Sequence, residues 1–328
     1  MGKQGDNPST RYRLLPLARR LEQLGHEVRF AGSDVGLMGK LRLLQAASHS
    51  DLIVIQRKLF SRPFLRLLHA RCKQVVYDFD DAVFTRSDGS ASWSRKRRFA
   101  ALGEFVSLFW AGNSYLAEVA RESGRSAVVL PTPVHAERYS MYARKHEVFT
   151  LVWIGSRSTS RYLEQSRAAL ELVGQTCPDV QLKIIGDFEL SFEHLAVVNV
   201  PWSSATEVDE LLMCHVGIAP MVDDAWTRGK CALKVLQYMA AGLPVISARV
   251  GANATVVQEG VTGLFANSPD EWVTAVQRLR DDKHLCGDYS RAAREVVRRD
   301  YDTGVVVQQA LLSLRECGLL ALADDHGV

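Results

Sequence analysis

Several features are scarce in this chain, and each scarcity excludes something. Its 328 residues include six cysteines (Cys72, Cys177, Cys214, Cys231, Cys286 and Cys317), with no CxxC pair and no regular spacing. That excludes a disulfide framework and a cysteine zinc site, and it fits a reducing compartment. No apolar run reaches the roughly 20 residues that a bilayer-crossing helix needs. The opening MGKQGDNPST lacks the apolar region of a secretory signal, so a cytoplasmic location is expected. Charge is nearly balanced, 40 Lys+Arg against 37 Asp+Glu, and a net +3 gives no global field for nucleic acid. His135, His146 and His215 have no ligand spacing. Internal repeats and low-complexity stretches are absent too. One more absence concerns organisation. An α/β domain normally opens on a strand, whereas here a Gly/Asn/Pro/Ser loop runs straight into a helix. The first N-terminal strand is therefore expected to be missing, through a shortened start or a misassigned initiation codon.

The length suits two domains, and an apolar fraction of 47% is enough for two cores. Arg11 to Gly25 carries Leu14, Leu17, Ala18 and Leu21 at helical spacing. Short apolar runs follow at 27–31, 51–56, 74–79, 108–112 and 127–130, with helical segments between them. Pro131 to Glu147 reads as a linker. A second series runs at 150–154, 182–185, 197–200, 216–220 and 244–247, and a mostly helical tail follows from Pro269. Two successive βα series predict two doubly wound parallel-sheet domains of Rossmann-like type. The expected boundaries are 1–140, 141–300 and a C-terminal helix in 301–328 that packs back on the N-terminal domain. Ligands of such sheets sit beyond the carboxyl ends of the strands, in a cleft between the domains.

That rule selects four places. In TRGKCALKVLQYMAAGLPVIS (227–247), Gly229 permits a turn and a helix is expected from Cys231 to Ala241. Free N–H groups and the dipole at its start suit a phosphate. Lys230 and Lys234 stand one turn apart, with Gln237 or Tyr238 one turn further on the same face. Two ammonium groups could neutralise a diphosphate there, and the amide could bond a ribose hydroxyl; a surface helix with solvated lysines has the same spacing. The run LVWIG ends at Gly155, followed by Ser156-Arg157-Ser158-Thr159, which offers a cation, hydroxyls and an N-cap. QVVYDF runs into Asp80-Asp81. Asp78 and Asp80 form an Asp-x-Asp triplet that admits a divalent-metal reading, while Asp81 also suits a helix cap and Asp78 a buried ion pair. Finally, the loop GDNPSTRYR brings Arg11 and Arg13 towards a phosphate or an anionic acceptor, with Tyr12 turned to the core.

The stretch Gln237-Tyr-Met-Ala-Ala-Gly-Leu-Pro-Val, with Val250-Gly251, Glu259-Gly-Val-Thr-Gly-Leu-Phe and Trp272, resembles the donor-binding region of family 4 glycosyltransferases, which have the B-type two-Rossmann fold. The likeness covers most of the C-terminal half and is weaker before it. It implies that Gly155, Ser156, Arg157, Gly229, Lys230, Lys234 and Gln237 bind a nucleotide-sugar donor. It further implies that Asp80 and Arg13 are catalytic, and that Arg11 and Asp81 lie on the acceptor side. The family's two donor glutamates are replaced here: the ribose-binding one by Gln237, the sugar-contacting one by Gly229. The resemblance implies retaining transfer to a carbohydrate or lipid-linked acceptor, in polysaccharide or glycoconjugate synthesis, with no metal and no cofactor beyond the donor. It also implies that Arg95, Lys96, Arg97 and Arg98 meet the inner membrane face, although a solvated helix face is the alternative. A nucleotide-sugar epimerase of the same fold and a non-catalytic subunit stay open as other readings.

Overall fold

The computed structural model describes residues 8–32, 36–141 and 143–320. They divide into two compact units. One holds the chain up to Pro133, the segment Asp224–Cys231 and the chain from Thr303; the other holds Val134–Asp223 and Ala232–Asp302.

The N-terminal unit is built on a parallel sheet of β1 (Leu52–Gln56), β2 (Gln74–Phe79), β3 (Leu108–Ala111) and β4 (Ala127–Val129), in that spatial order. Alternation along β2 decides what each face receives. Tyr77 and Phe79 point into an aromatic core with Phe99 and Phe109, where ring centroids lie 5.3–6.2 Å apart. Helices Leu37–Ala47, Arg62–Arg71 and Trp93–Leu102 cover that face with Leu43, Leu44, Leu65, Leu68 and Leu102. Val76 and Trp110 belong to the opposite face, packed with Leu17 and with Val306, Ala310 and Leu314 of helix Thr303–Glu316. Trp110 donates its indole N–H to Ser313 Oγ at 2.9 Å, so that helix is tied to the sheet by a buried polar contact as well as by apolar area.

The other unit has a six-stranded parallel sheet in the order β10-β9-β8-β5-β6-β7. Its strands are β5 (Phe149–Ile154), β6 (Val180–Gly186), β7 (Ala196–Pro201), β8 (Val216–Ala219), β9 (Val245–Ser247) and β10 (Gly263–Phe265). β5 lies between β6 and β8, so the chain reverses direction across the sheet there. A doubly wound sheet opens its ligand crevice beyond the carboxyl ends of the strands at such a point.

Two sequence expectations need correction. Residues 27–31 belong to no strand: the segment joins neither side of the β1-β2-β3-β4 ladder, and Phe30 is 51% exposed. A parallel strand is stable only with a hydrogen-bonded neighbour, and alternating charge in Glu27-Val-Arg-Phe gives this one little apolar surface to hold it. The stretch expected as a linker also contributes to a core. Val134 and Tyr139 are buried in the C-terminal unit, where Val134 N–H donates to Tyr301 O at 3.0 Å and Arg294 Nη1 donates to Tyr139 O at 2.9 Å.

Candidate active site

In the N-terminal unit the polar centre lies at the carboxyl end of β2. Asp78 is on the strand and 1% exposed. Arg13 meets it with Nε at 3.0 and 3.1 Å and Nη2 at 2.5 Å, and its Nη1 donates to Leu130 O at 2.8 Å. Gln56 Nε2 adds a donor to Asp78 at 2.9 Å, and Thr10 Oγ1 in turn donates to Gln56 Oε1 at 2.7 Å. Burial opposes the Arg13 charge, but the Asp78 carboxylate outweighs it and raises the guanidinium pKa. Every strong hydrogen-bonding position of Asp78 is used. Arg13 is 5% exposed and fastens the N-terminal helix to β2 through Asp78. Arg11, half-buried, lies with its guanidinium 4.9 Å from the Tyr12 ring, and Tyr12 is buried as expected.

Asp80 and Asp81 follow where β2 ends. Ser9 Oγ donates to Asp80 Oδ2 at 2.6 Å. Asp80 Oδ1 is buried, lies 3.5 Å from Arg57 Nη1 and accepts no hydrogen bond among the described residues. Burial works against its charge; Arg57, Arg13, the Ser9 hydroxyl and Lys230 outweigh that and hold Asp80 below the ordinary carboxylate range. Asp81 takes Arg57 on one oxygen and Lys230 Nζ at 2.7 Å on the other. Asp81 is therefore a bridge between two cations, and the helix-cap reading of it is not realised.

Sequence reasoning missed Arg57. It sits directly after β1 with φ 57°, a left-handed conformation that costs a non-glycine residue about 1–3 kcal/mol. The position is held because Arg57 N–H donates to Asp78 O at 2.9 Å while Nη1 donates to Ser9 Oγ at 2.7 Å. No sequence pattern marks a left-handed arginine.

The segment Asp224–Cys231 belongs to the N-terminal unit. Asn113 Nδ2 donates to Arg228 O at 3.0 Å and to Lys230 O at 2.9 Å, and Cys231 Sγ lies 3.2 Å from Asp80 O. A Cβ added at Gly229 would stand 2.7 Å from Ala82 N. This close approach explains why glycine occupies the place where the resemblance has a glutamate. The expected alignment of Lys230 and Lys234 along one helix is not formed. The helix runs Leu233–Ala240, Ala232 before it is left-handed (φ 54°), and Lys230 turns to Asp81. Restoring the family's residue with Gly229→Glu is expected to lower stability by about 1–3 kcal/mol, the usual range for overpacking, in a denaturant unfolding experiment.

The C-terminal unit gathers the remaining expected residues at the end of β5. Gly155 is required there, since a Cβ would fall 2.4 Å from Trp153 Cη2 and 2.8 Å from Thr159 Oγ1. Ser156 precedes helix Arg157–Gln165, and its hydroxyl pairs with Ser158 Oγ at 2.8 Å. Arg157 N–H donates to Asp187 Oδ1 at 2.6 Å, and its guanidinium reaches Asp187 O at 3.3 Å. Lys234 holds its ammonium 4.0 Å from the centroid of the Trp153 ring. Gln237 is 6% exposed, with Nε2 3.5 Å from Tyr139 Oη. Beyond the ends of β6 and β7 lies a groove of about 580 Å³ lined by Arg157, Asp187, Phe188, Glu189, Asn199 and Pro201. The groove sets the Phe188 ring and the Arg157 cation beside two carboxylates, Asp187 and Glu189, and one amide, Asn199, which is bonded to Leu190. Among the described residues no cluster of three metal-ligating side chains occurs.

Comparison with known proteins gives matches in sequence and in fold. Residues 143–282 match the model of the family Glycosyl transferases group 1. The match covers 140 of the 328 residues and lies almost wholly in the C-terminal unit. Over 150 residues it is 29% identical to a sulfoquinovosyl transferase of Arabidopsis thaliana, an alignment that covers 43% of this chain and 29% of that protein. The chain thus spans under a third of that relative's length. HepE of Anabaena, solved with UDP, aligns with 96% of this chain and 98% of its own at a TM-score of 0.71 and 14% identity. A glycosyltransferase from Rickettsia africae aligns over 97% of each chain at a TM-score of 0.72 and 12% identity. At these identities the likeness is one of fold, and the fold is the B-type glycosyltransferase fold with two Rossmann-like sheets.

Proposed function

We propose that this protein moves a glycosyl group from a nucleotide-sugar to a saccharide or lipid-linked acceptor. The observation that carries the reading is the end of β5 in the matched segment, where Gly155 and Lys234 lie against Trp153 and Ser156 and Arg157 open the next helix. The donor is a uridine nucleotide in this reading; solved neighbours hold UDP and UDP-glucose. Arg157, Lys234 and the positive dipole end of helix Arg157–Gln165 stabilise negative charge as the nucleoside diphosphate departs. Two cations and a helix start can take the part that a divalent ion plays elsewhere, so the transfer is proposed as metal-independent. Retention follows the resemblance: the leaving phosphate assists removal of the acceptor proton, and a protein base is not needed. Asp80, whose charge its cations favour, is assigned to the acceptor side, with Oδ2 held by Ser9 and Oδ1 facing Arg57. Lys230 is committed to Asp81 and is assigned to holding that acidic pair rather than to first contact with the donor.

The test is to incubate the purified chain with a panel of nucleotide-sugars and candidate acceptors and to assay nucleoside diphosphate release and the anomeric configuration of the product. Acceptor-dependent release with retention supports the reading. Epimerised donor without acceptor selects the epimerase, and an inert chain that binds no nucleotide selects the non-catalytic subunit. On the donor side, Lys234→Ala is expected to weaken UDP binding by about 1.5–3 kcal/mol, the range for hydrogen bonds to charged groups. A smaller UDP-induced rise in unfolding temperature, with an unchanged ligand-free value, is the readout.

A further inference from the structure

Trp153, the penultimate residue of β5, is 0% exposed. Its indole N–H is buried and donates to nothing among the described residues. A buried donor without an acceptor is costly, and phenylalanine or leucine would fill most of the same space without that cost. Packing alone therefore disfavours tryptophan here, and the ring offers something that its volume does not.

Its neighbours hold the ring in one orientation. The Cη2 edge abuts Gly155, where a Cβ would stand 2.4 Å away. Phe188, just beyond the end of β6, lies nearly perpendicular to it, with ring centroids 5.6 Å apart and an interplanar angle of 78°. The Lys234 ammonium lies over the ring, 4.0 Å from its centroid. A lysine ammonium travels on a flexible four-carbon stem, so a rigid seat removes freedom that binding would otherwise have to remove.

The chemistry of the seat matters as much as its rigidity. Lys230 also lies against a tryptophan, 4.4 Å from the Trp226 centroid, but its ammonium meets Asp81 at 2.7 Å. A carboxylate fixes an ammonium and cancels its charge, so an incoming phosphate has to displace it. A π face attracts the ammonium through its quadrupole and brings no net negative charge of its own.

We infer that Trp153 is a positioning residue, whose π face holds the charged Lys234 ammonium where it meets the donor diphosphate. The inference rests on the donor reading above and adds the residue that sets the geometry of that cation. Phe188 lines the groove beyond β6 and packs on the same indole, so one side chain orders both the groove wall and the cation.

The test is a double-mutant cycle on UDP affinity, measured calorimetrically with the full chain. Trp153→Leu is expected to weaken UDP binding about tenfold, within the range for a partly desolvated cation–π contact. Trp153→Phe keeps an aromatic face and should stay within about threefold of the wild type. In a Lys234→Met background, Trp153→Leu should change the affinity by less than about twofold, because the group it positions is gone. Equal losses in both backgrounds mean that Trp153 only packs the site; that result, or unchanged affinity in Trp153→Leu, would overturn the inference and leave the donor reading intact. A wild-type chain that binds no nucleoside diphosphate overturns the donor reading and this inference with it. Should Trp153→Leu fail to fold, the ligand-free wild-type protein supplies a second measurement. Its Lys234 ε-methylene protons should be shifted upfield by the indole ring current in the NMR spectrum, the signal being assigned by its loss in Lys234→Arg. Unshifted protons would overturn the proposal without any nucleotide being present.

Discussion

Arg13→Met is expected to destabilise the N-terminal unit by about 3–5 kcal/mol, the largest stability effect of any single substitution considered. The reason is the carboxylate left behind. Asp78 is 1% exposed and Arg13 5%, and the guanidinium supplies three of the contacts to that carboxylate. Removing one partner of a buried pair strands the other charge in a poorly polarisable interior, whereas removing both is often nearly neutral. The double variant Arg13→Met/Asp78→Leu is therefore expected to recover most of the loss. Urea unfolding of the two singles and the double separates this account from a merely packing role for the Arg13 stem, in which the double would be as unstable as the singles combined.

Asp80→Asn is expected to lower kcat by about 10²–10³-fold while leaving the KM for the donor within a small factor. The asparagine keeps the volume and the contact with Ser9 but removes the charge that an acceptor hydroxyl meets, and loss of one preorganised electrostatic contact costs about 10²–10³-fold. The effect belongs to the chemical step, so nucleotide binding should not change. The pH dependence has a definite sign. Asp80 titrates below the ordinary carboxylate value despite its burial, because Arg57, Arg13, Ser9 and Lys230 favour the anion. A depressed carboxylate adds stability that is fully present above its unfolded value and is lost as pH falls through its folded one. Activity should accordingly persist to pH values below the normal carboxylate range before Asp80 limits it, unless the donor's own phosphates titrate first.

Much of the fold was legible because buried parallel strands are short apolar runs, and nine of the runs in the sequence became strands. The run 27–31 did not, since strand formation depends on a neighbour as well as on composition. Tyr139 and Val134 were hidden among charged residues that read as linker, although two buried side chains suffice to fix such a segment. At the site, the residue types were readable but their partners were not. Lys230 and Lys234 look equivalent by spacing, yet a left-handed Ala232 separates them, and Asp81, distant in sequence, claims the first. Arg57 carried no pattern at all, because its role comes from a backbone conformation enforced by Asp78 and Ser9. Gly229 reads as a lost glutamate from resemblance alone; the nearness of Ala82 shows a backbone approach that a side chain would block.

The central claim is that the C-terminal unit holds a nucleoside diphosphate with Arg157 and Lys234, and calorimetric titration of UDP into the purified chain tests it most directly. Saturable binding in the wild-type protein, lost or weakened at least about tenfold in Arg157→Ala/Lys234→Ala and retained in Asp80→Asn, is the predicted result. Absence of saturable binding by UDP or any other nucleoside diphosphate, or equal affinity in the double variant, would contradict it.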